Sequence, residues 1–255
     1  NVQRQIDALK KKPALIVGSA PRIVELHRLR KLKLQEVRLC VLDEFDRLLD
    51  KQHSAEVRAV LHLLPRERQM LLLSATAAAA AVHAAEELCA LRIIRAAVQE
   101  TTCENYYHIV PFRDKIKAVQ KLTRRLPIRR GLVFVGRSFD AEKAAEKLQY
   151  EGIRVAALLG GERRDQRRAA LNAIRTGRVQ LLISTDLAAR GLDIEDVDYV
   201  VQVDLPEDVR TYRHRAGRTA RAGKEGTVIS LVDAKEVERL KALAVRMKLD
   251  LKKIN

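Results

Sequence analysis

Short apolar runs alternate with amphipathic stretches along almost the whole chain, and no other feature narrows the possible folds as far. The runs are Ala14–Val17, Leu39–Leu42, Met70–Leu73, Gly131–Val135, Leu181–Ser184, Tyr199–Val203 and Thr227–Leu231. Helical patterns lie between them at Ala55–Leu64, Ala81–Leu91, Lys115–Leu126, Ala141–Tyr150 and Arg164–Arg175. A strand that is apolar at successive positions needs cover on both faces, and the intervening helices supply it. The pattern therefore predicts α/β domains with parallel sheets. In such sheets, ligands bind where strands end and loops begin.

A chain of 255 residues makes one large domain or two of ordinary size. The alternation weakens between Val98 and Asp114, where Glu100-Thr101-Thr102 and Pro111 interrupt it. This predicts one domain over residues 1–99, a linker at 100–113 and a second domain over 114–255. The first reads as N-terminally incomplete and the second as nearly complete. Ala234–Lys248 reads as a closing helix with Leu240, Leu243 and Met247 on one face, or alternatively as a partner-binding helix. The chain opens Asn1-Val2-Gln3-Arg4 without Met and is read as a piece of something longer.

Lys plus Arg exceed Asp plus Glu by 49 − 33 = 16, a surplus that favours a polyanionic partner, most often nucleic acid. The plainer reading is a basic surface that serves only solubility. Cys40, Cys89 and Cys103 are far apart and form no Cys-x-x-Cys pair. That speaks against a zinc site and a disulfide framework and fits a reducing, cytoplasmic setting. No apolar stretch is long enough to span a bilayer.

Four strings carry chemistry. Val41-Leu42-Asp43-Glu44 is an apolar strand ending in two carboxylates, which suits an Mg²⁺ held through water and a neighbour that orients an attacking water. A solvated strand end would look the same. Ser74-Ala75-Thr76 closes the next strand with two small hydroxyls, or simply caps a helix. Ser184-Thr185-Asp186-Leu187-Ala188-Ala189-Arg190-Gly191-Leu192-Asp193 runs from a strand into a turn carrying a hydroxyl, a cation, a glycine and a carboxylate. Such a turn can touch phosphate and ribose together. In His214-Arg215-Ala216-Gly217-Arg218-Thr219-Ala220-Arg221, Arg218 and Arg221 are three apart, which on a helical turn would point both guanidinium groups at one γ-phosphate.

Together these strings resemble the DEAD-box family of RNA-dependent ATPases, over nearly the whole chain and in the family's order. Asp43-Glu44-Phe45-Asp46 is similar to the Asp-Glu-Ala-Asp box, and Ser19-Ala20-Pro21-Arg22 to the Thr-Pro-Gly-Arg motif that holds RNA backbone. Gly131–Val135 looks like the strand motif that opens the second domain. The resemblance implies two RecA-like domains with parallel sheets that close around ATP and RNA, in a monomer. It implies that Asp43 binds ATP through water-bridged Mg²⁺ and that Glu44 positions the attacking water. Gly191 and Asp193 would contact the nucleotide, the latter at its ribose, and Arg218 and Arg221 would be arginine fingers. Asp46, Ser74, Thr76 and His214 would couple hydrolysis to unwinding, and Arg22, Arg167 and Thr185 would touch RNA phosphates.

The chain departs from the family in three places. It contains no Gly-x-x-x-x-Gly-Lys-Thr phosphate loop, so residues 1–255 alone are expected to bind ATP poorly and to lack RNA-stimulated ATPase activity. Arg164 stands where the family usually has Gln, and Ala220 replaces the usual Gly near the fingers, which asks more of the local backbone. A non-catalytic RNA-binding scaffold derived from a helicase is the alternative. The retained Glu44, Arg218 and Arg221 speak against it, since a pure binder has no use for them.

Overall fold

Pro21 lies in the first turn of a helix, where its missing N–H costs nothing, and His27 and Arg28 lie in the last turn, facing the helix's negative end. That helix belongs to the first of two units, residues 1–95 and 96–255. The computed structural model describes residues 2–50, 52–74, 79–94, 103–136, 138–161, 163–189, 194, 197–220 and 224–254.

The first unit runs α1 (Val2–Leu9), α2 (Ala20–Arg28), β1 (Leu39–Asp43), α3 (Phe45–Leu48), α4 (Ser54–Leu63), β2 (Gln69–Leu73) and α5 (Ala79–Glu86). β1 and β2 pair in parallel, with Leu39 opposite Gln69 and Asp43 opposite Leu73. Leu42, Phe45, Leu49, Val57, Leu61, Ala81 and Ala85 form a core on one side of this pair. The other side leaves Leu39, Val41, Leu71 and Leu73 exposed. Ala14–Val17, expected as a strand, is not one: no described strand pairs with it, and Leu15 and Val17 are 77% and 88% exposed. An apolar run becomes a strand only when a neighbour takes its backbone hydrogen bonds.

The second unit runs β3 (Cys103–Ile109), a 3₁₀ turn, α6 (Lys115–Arg125), β4 (Gly131–Phe134), α7 (Ser138–Tyr150), β5 (Val155–Leu158), α8 (Arg164–Arg175), β6 (Leu181–Ser184), α9 (Asp186–Ala189), β7 (Tyr199–Gln202), α10 (Val209–Ala216), β8 (Gly226–Val232), α11 (Val237–Met247) and β9 (Leu251–Lys253). Its sheet has the order β5-β6-β4-β7-β8-β3-β9, and every pairing is parallel. Successive residues feed opposite cores. Val133, Ile183, Val201 and Ile229 meet Val119, Leu122, Ala144 and Leu148 on one face. Leu132, Leu182, Val200 and Val228 meet Ile174, Tyr212, Leu240 and Met247 on the other. The start of β4 is closely packed: a β-carbon at Gly131 would sit 2.6 Å from Cδ2 of the fully buried Leu181, which would have to shift to admit it.

Residues 100–113, read as a linker, contain β3, which lies between β8 and β9. Its sequence, Cys-Glu-Asn-Tyr-Tyr-His-Ile, is too polar to read as a buried run. Tyr106 and Tyr107 instead pack against opposite cores, and the buried Asn105 Oδ1 accepts a hydrogen bond from Tyr212 Oη at 2.9 Å. The closing helix, α11, buries Leu240, Leu243 and Met247 in the second core, so that face is occupied within the unit.

Candidate functional site

In the first unit, the acidic pair stands at the C-terminal end of β1. Glu44 adopts a left-handed backbone (φ 52°, ψ 46°), uncommon for a residue with a side chain, and its N–H donates to Asp43 Oδ1 at 3.0 Å. This corner turns the chain from β1 into α3 and sends Phe45 into the core, while Asp43 stays exposed and Glu44 half-exposed. The Phe that departs from the usual Ala of the box is thus a packing residue. Asp43 lies opposite Leu73 in the register, so Ser74, the residue after β2, shares the same sheet edge as the carboxylates. Asp46 is half-buried on α3. Arg22, in the first turn of α2, donates to Glu25 Oε2 at 2.7 Å along its own helix. Thr76 lies outside the described residues.

No cluster of three or more His, Cys, Asp or Glu side chains able to hold a metal occurs among the described residues. A protein cage for Mg²⁺ is therefore not offered. An exposed carboxylate such as Asp43 fits the other way in which Mg²⁺ is held, by one or two carboxylates, waters and substrate phosphates.

In the second unit the C-terminal ends of β4, β6 and β7 are adjacent and are tied together by one buried cation. Arg215, only 3% exposed, grips Asp186 with both prongs: Nε to Oδ1 and Nη2 to Oδ2, each at 2.7 Å. Its Nη1 donates to the Asp204 carbonyl at 2.6 Å and to Gln202 Oε1 at 3.3 Å, and the guanidinium lies 5.1 Å from the Phe134 ring centre. Asp204 Oδ2 in turn accepts from the Gly136 N–H at 2.7 Å. A buried charge is tolerable only when paired and hydrogen-bonded in this way.

The flanking groups are similarly fixed. Thr185 is 5% exposed, and its Oγ1 accepts from the Ala188 N–H at 3.3 Å, bracing the first turn of α9. Arg167 on α8 donates through Nη1 to the Ala188 carbonyl at 2.8 Å. His214 is half-buried in the last turn of α10.

The expected shared face of Arg218 and Arg221 reaches beyond the described residues at Arg221, and at Arg218 the chain has already left the helix. α10 ends at Ala216 with Gly217 as its cap, so Arg218 lies beyond the helix, where its Nε donates to the His214 carbonyl at 3.3 Å. Ala220 then takes φ 52°, the left-handed conformation a glycine would adopt without strain. A β-carbon at Gly226 would come within 2.5 Å of Ala220 N, so this turn packs directly on the start of β8. Gly191, Asp193 and Arg221 lie outside the described residues.

Sequence reasoning assigned no role to Arg215 or Asp186, though both lie inside the strings it singled out. A usable signal was the spacing of Tyr212 and Arg215 on α10, which puts the arginine on the buried face beside an aromatic residue.

Residues 1–84 match the sequence pattern described as DEAD/DEAH box helicase, and residues 114–223 match the helicase conserved C-terminal domain. The chain is 37% identical over 251 residues to the DEAD-box ATP-dependent RNA helicase CshC of Bacillus cereus, covering 97% of this chain and 64% of CshC. It is 38% identical to YfmL of Bacillus subtilis, covering 98% of this chain and 67% of that protein. Among solved structures, Saccharomyces cerevisiae Dbp5 bound to RNA and ADP BeF₃ is similar with a TM-score of 0.84 and 30% identity, over 94% of this chain and 65% of that one. The chain thus spans about two thirds of the length of these relatives.

Proposed function

The chain belongs to the DEAD/DEAH box helicase family, and on that premise we propose that it forms the larger part of the core of an ATP-dependent RNA helicase. The supporting observation is that the family's chemical strings fall at strand C-terminal ends. Asp43 and Glu44 end one sheet's strand, while Ser184 to Asp186 end another's and are braced by Arg215. Asp43 would hold Mg²⁺ through water, and bound Mg²⁺ would neutralise charge on the ATP phosphates.

Within this reading, Glu44 takes hold of the attacking water, and its left-handed corner fixes where the carboxylate stands. Arg218 and Arg221 place positive charge against the γ-phosphate, and Gly191 and Asp193 contact the nucleotide. Asp46, Ser74, Thr76 and His214 relay between hydrolysis and RNA. Arg22, Arg167 and Thr185 grip RNA phosphates, a sequence-blind mode that suits a net charge of +16. A cytoplasmic monomer is the setting proposed; among the described residues no helix is long and apolar enough to cross a membrane.

Residues 1–255 contain no phosphate-loop string and are proposed to be inactive alone. The test compares RNA-stimulated ATP hydrolysis by residues 1–255 with that of a longer protein carrying a phosphate loop ahead of them. The longer protein should turn over and Glu44→Gln should abolish it. Turnover by residues 1–255 that Glu44→Gln removes would overturn the proposed inactivity. A longer protein that binds RNA but never hydrolyses ATP would favour the scaffold reading instead.

A further inference from the structure

The cations of the second unit are not confined to the edge where its strands end. At the opposite edge Arg129 and Arg130 precede β4, Arg154 precedes β5 and Arg178 comes shortly before β6. Arg125 closes α6 and Arg175 closes α8. The register makes these neighbours, since Leu181 pairs with both Gly131 and Val155. Three of the side chains converge on a single turn. Arg130 Nη2 donates to the Arg175 carbonyl at 3.0 Å, Arg154 Nη1 to the Gly177 carbonyl at 2.7 Å, and Arg178 Nε to Thr176 Oγ1 at 3.4 Å.

The plainest account is that these groups satisfy carbonyls at the C-terminal end of α8. It explains only part of the charge, because a helix end carries about half a negative charge and several guanidinium groups gather here. One acid, Asp198, stands against Arg129 and Arg130, and another, Glu151, lies nearby. The Asp198 carboxylate accepts the backbone N–H groups of Arg129 and Arg130 at 2.9 Å each and lies 3.7 Å from the Arg129 Nε, and Glu151 is held by Gln120 and Arg124. Arg125, Arg154 and Arg178 are exposed, and the Arg129 side chain is 90% exposed. An arginine that gives one N–H to a carbonyl retains further donors in a fixed plane, the arrangement that matches a phosphate.

The same edge also carries Tyr150, the last residue of α7, four positions before Arg154. At 92% it is the most exposed of the large apolar residues described. Folding alone gives no reason to hold an aromatic ring fully in water, but beside arginines such a ring suits a stacked base.

We propose that this edge is a second RNA-contact surface, with Arg125, Arg129, Arg154 and Arg178 gripping phosphates and Tyr150 stacking a base. It rests on the reading above that the chain acts on RNA. It is separate from the edge carrying Thr185, because a four-residue strand such as β5 sets the two edges roughly 13 Å apart, with loops on either side. A long RNA would engage both edges, and the two together would raise affinity beyond either alone.

The experiment measures binding of residues 1–255 to single-stranded RNAs of about 8 and about 40 nucleotides across a salt series. The variants are Arg154→Gln with Arg178→Gln, Tyr150→Ala and Arg167→Ala, each checked by thermal melting. For the long RNA, the double arginine variant should lower the slope of log affinity against log salt by about 1.4, or roughly 0.7 per phosphate contact. Tyr150→Ala should weaken binding about five- to tenfold with an unchanged slope, as expected for stacking. Unchanged affinity and slope in both sets overturns the surface, as does competition by an acidic peptide as effective as unlabelled RNA. If these variants fall as expected while Arg167→Ala changes nothing, the surface stands and the RNA path assigned to the strand C-termini fails. Loss confined to Arg167→Ala leaves that path standing and removes this surface.

Discussion

β1 and β6 are nearly interchangeable on paper, Leu-Cys-Val-Leu-Asp against Leu-Leu-Ile-Ser, yet they end in opposite states. All four residues of β6 are buried, whereas β1 buries Leu42 alone and leaves Leu39, Val41 and Asp43 exposed. The difference does not lie in the strands. β6 has a strand on each side and a core on each face of its sheet, while among the described residues β1 has one partner strand and one core. An apolar parallel strand thus states a requirement for cover on both faces, and the surroundings decide whether it is met. The proposed catalytic carboxylates stand on the half-covered sheet, and the proposed finger arginine belongs to the unit with the covered one.

The contrast predicts effects of very different size. The largest is expected at Arg218, if its charge acts on the transition state. In the longer protein with saturating RNA, Arg218→Ala should lower kcat at least about a hundredfold, below the 10³–10⁵ that such fingers are typically worth. Nucleotide affinity should change much less. Single-turnover hydrolysis and nucleotide binding, measured together, decide it: equal losses would make Arg218 a ground-state ligand, and near-normal turnover would remove it from the active site.

Arg215 comes next. Arg215→Ala opens a hole beside Phe134 and takes a donor from Gln202 and the Asp204 carbonyl, and should cost about 2–5 kcal/mol of the second unit's stability in urea unfolding. Asp186→Ala should be comparable, and the double variant should cost clearly less than the sum, because the two lose one shared interaction. Additive losses would mean that the fork is not what ties these strand ends together.

The smallest effects test the opening comparison itself. Ile183→Ala, in the middle of β6, should cost about 2–5 kcal/mol, whereas Val41→Ala, in the middle of β1, should stay within about 0.5 kcal/mol. Urea unfolding of residues 1–255, followed at the transition of the unit concerned, measures both. Similar costs would show that the exposed face of β1 is covered in solution by something other than the described core.

Legibility followed the same physical divide. Long apolar runs with cover on both faces, such as Leu181–Ser184 and Gly131–Val135, were readable because the hydrophobic pattern and the burial coincide. β3 was hidden because Glu104 and Asn105 broke its run, although two tyrosines anchor it to both cores. Ala14–Val17 failed in the reverse direction: its composition is that of a strand, but pairing is not a local property. At the candidate site, the carboxylates at the end of β1 and the hydroxyl at the end of β6 were found because strand ends are recognisable. Arg215 was passed over because its one mark of burial, the three-residue spacing from Tyr212, sits in a string read for its other arginines. The shared face expected for Arg218 and Arg221 assumed a helical turn there, whereas α10 ends at Ala216, and Arg221 lies outside the described residues.

The placement of β3 has a consequence in time. It is the first strand of its unit to leave the ribosome, yet its partners are β8 and β9, with Cys103 opposite Gly226 and Asn105 opposite Leu251. At about 5–20 residues per second of synthesis, β3 waits on the order of 6–25 s for β8 to emerge. During that interval Tyr106 and Tyr107 have no sheet to join, and the half-made unit presents the uncovered edge of β7 and both edges of β3. A nascent chain of this kind depends on late closure of distant contacts, the slowest class of folding step. β9, Leu251–Lys253, is then the latch that seals the far side of the first strand made.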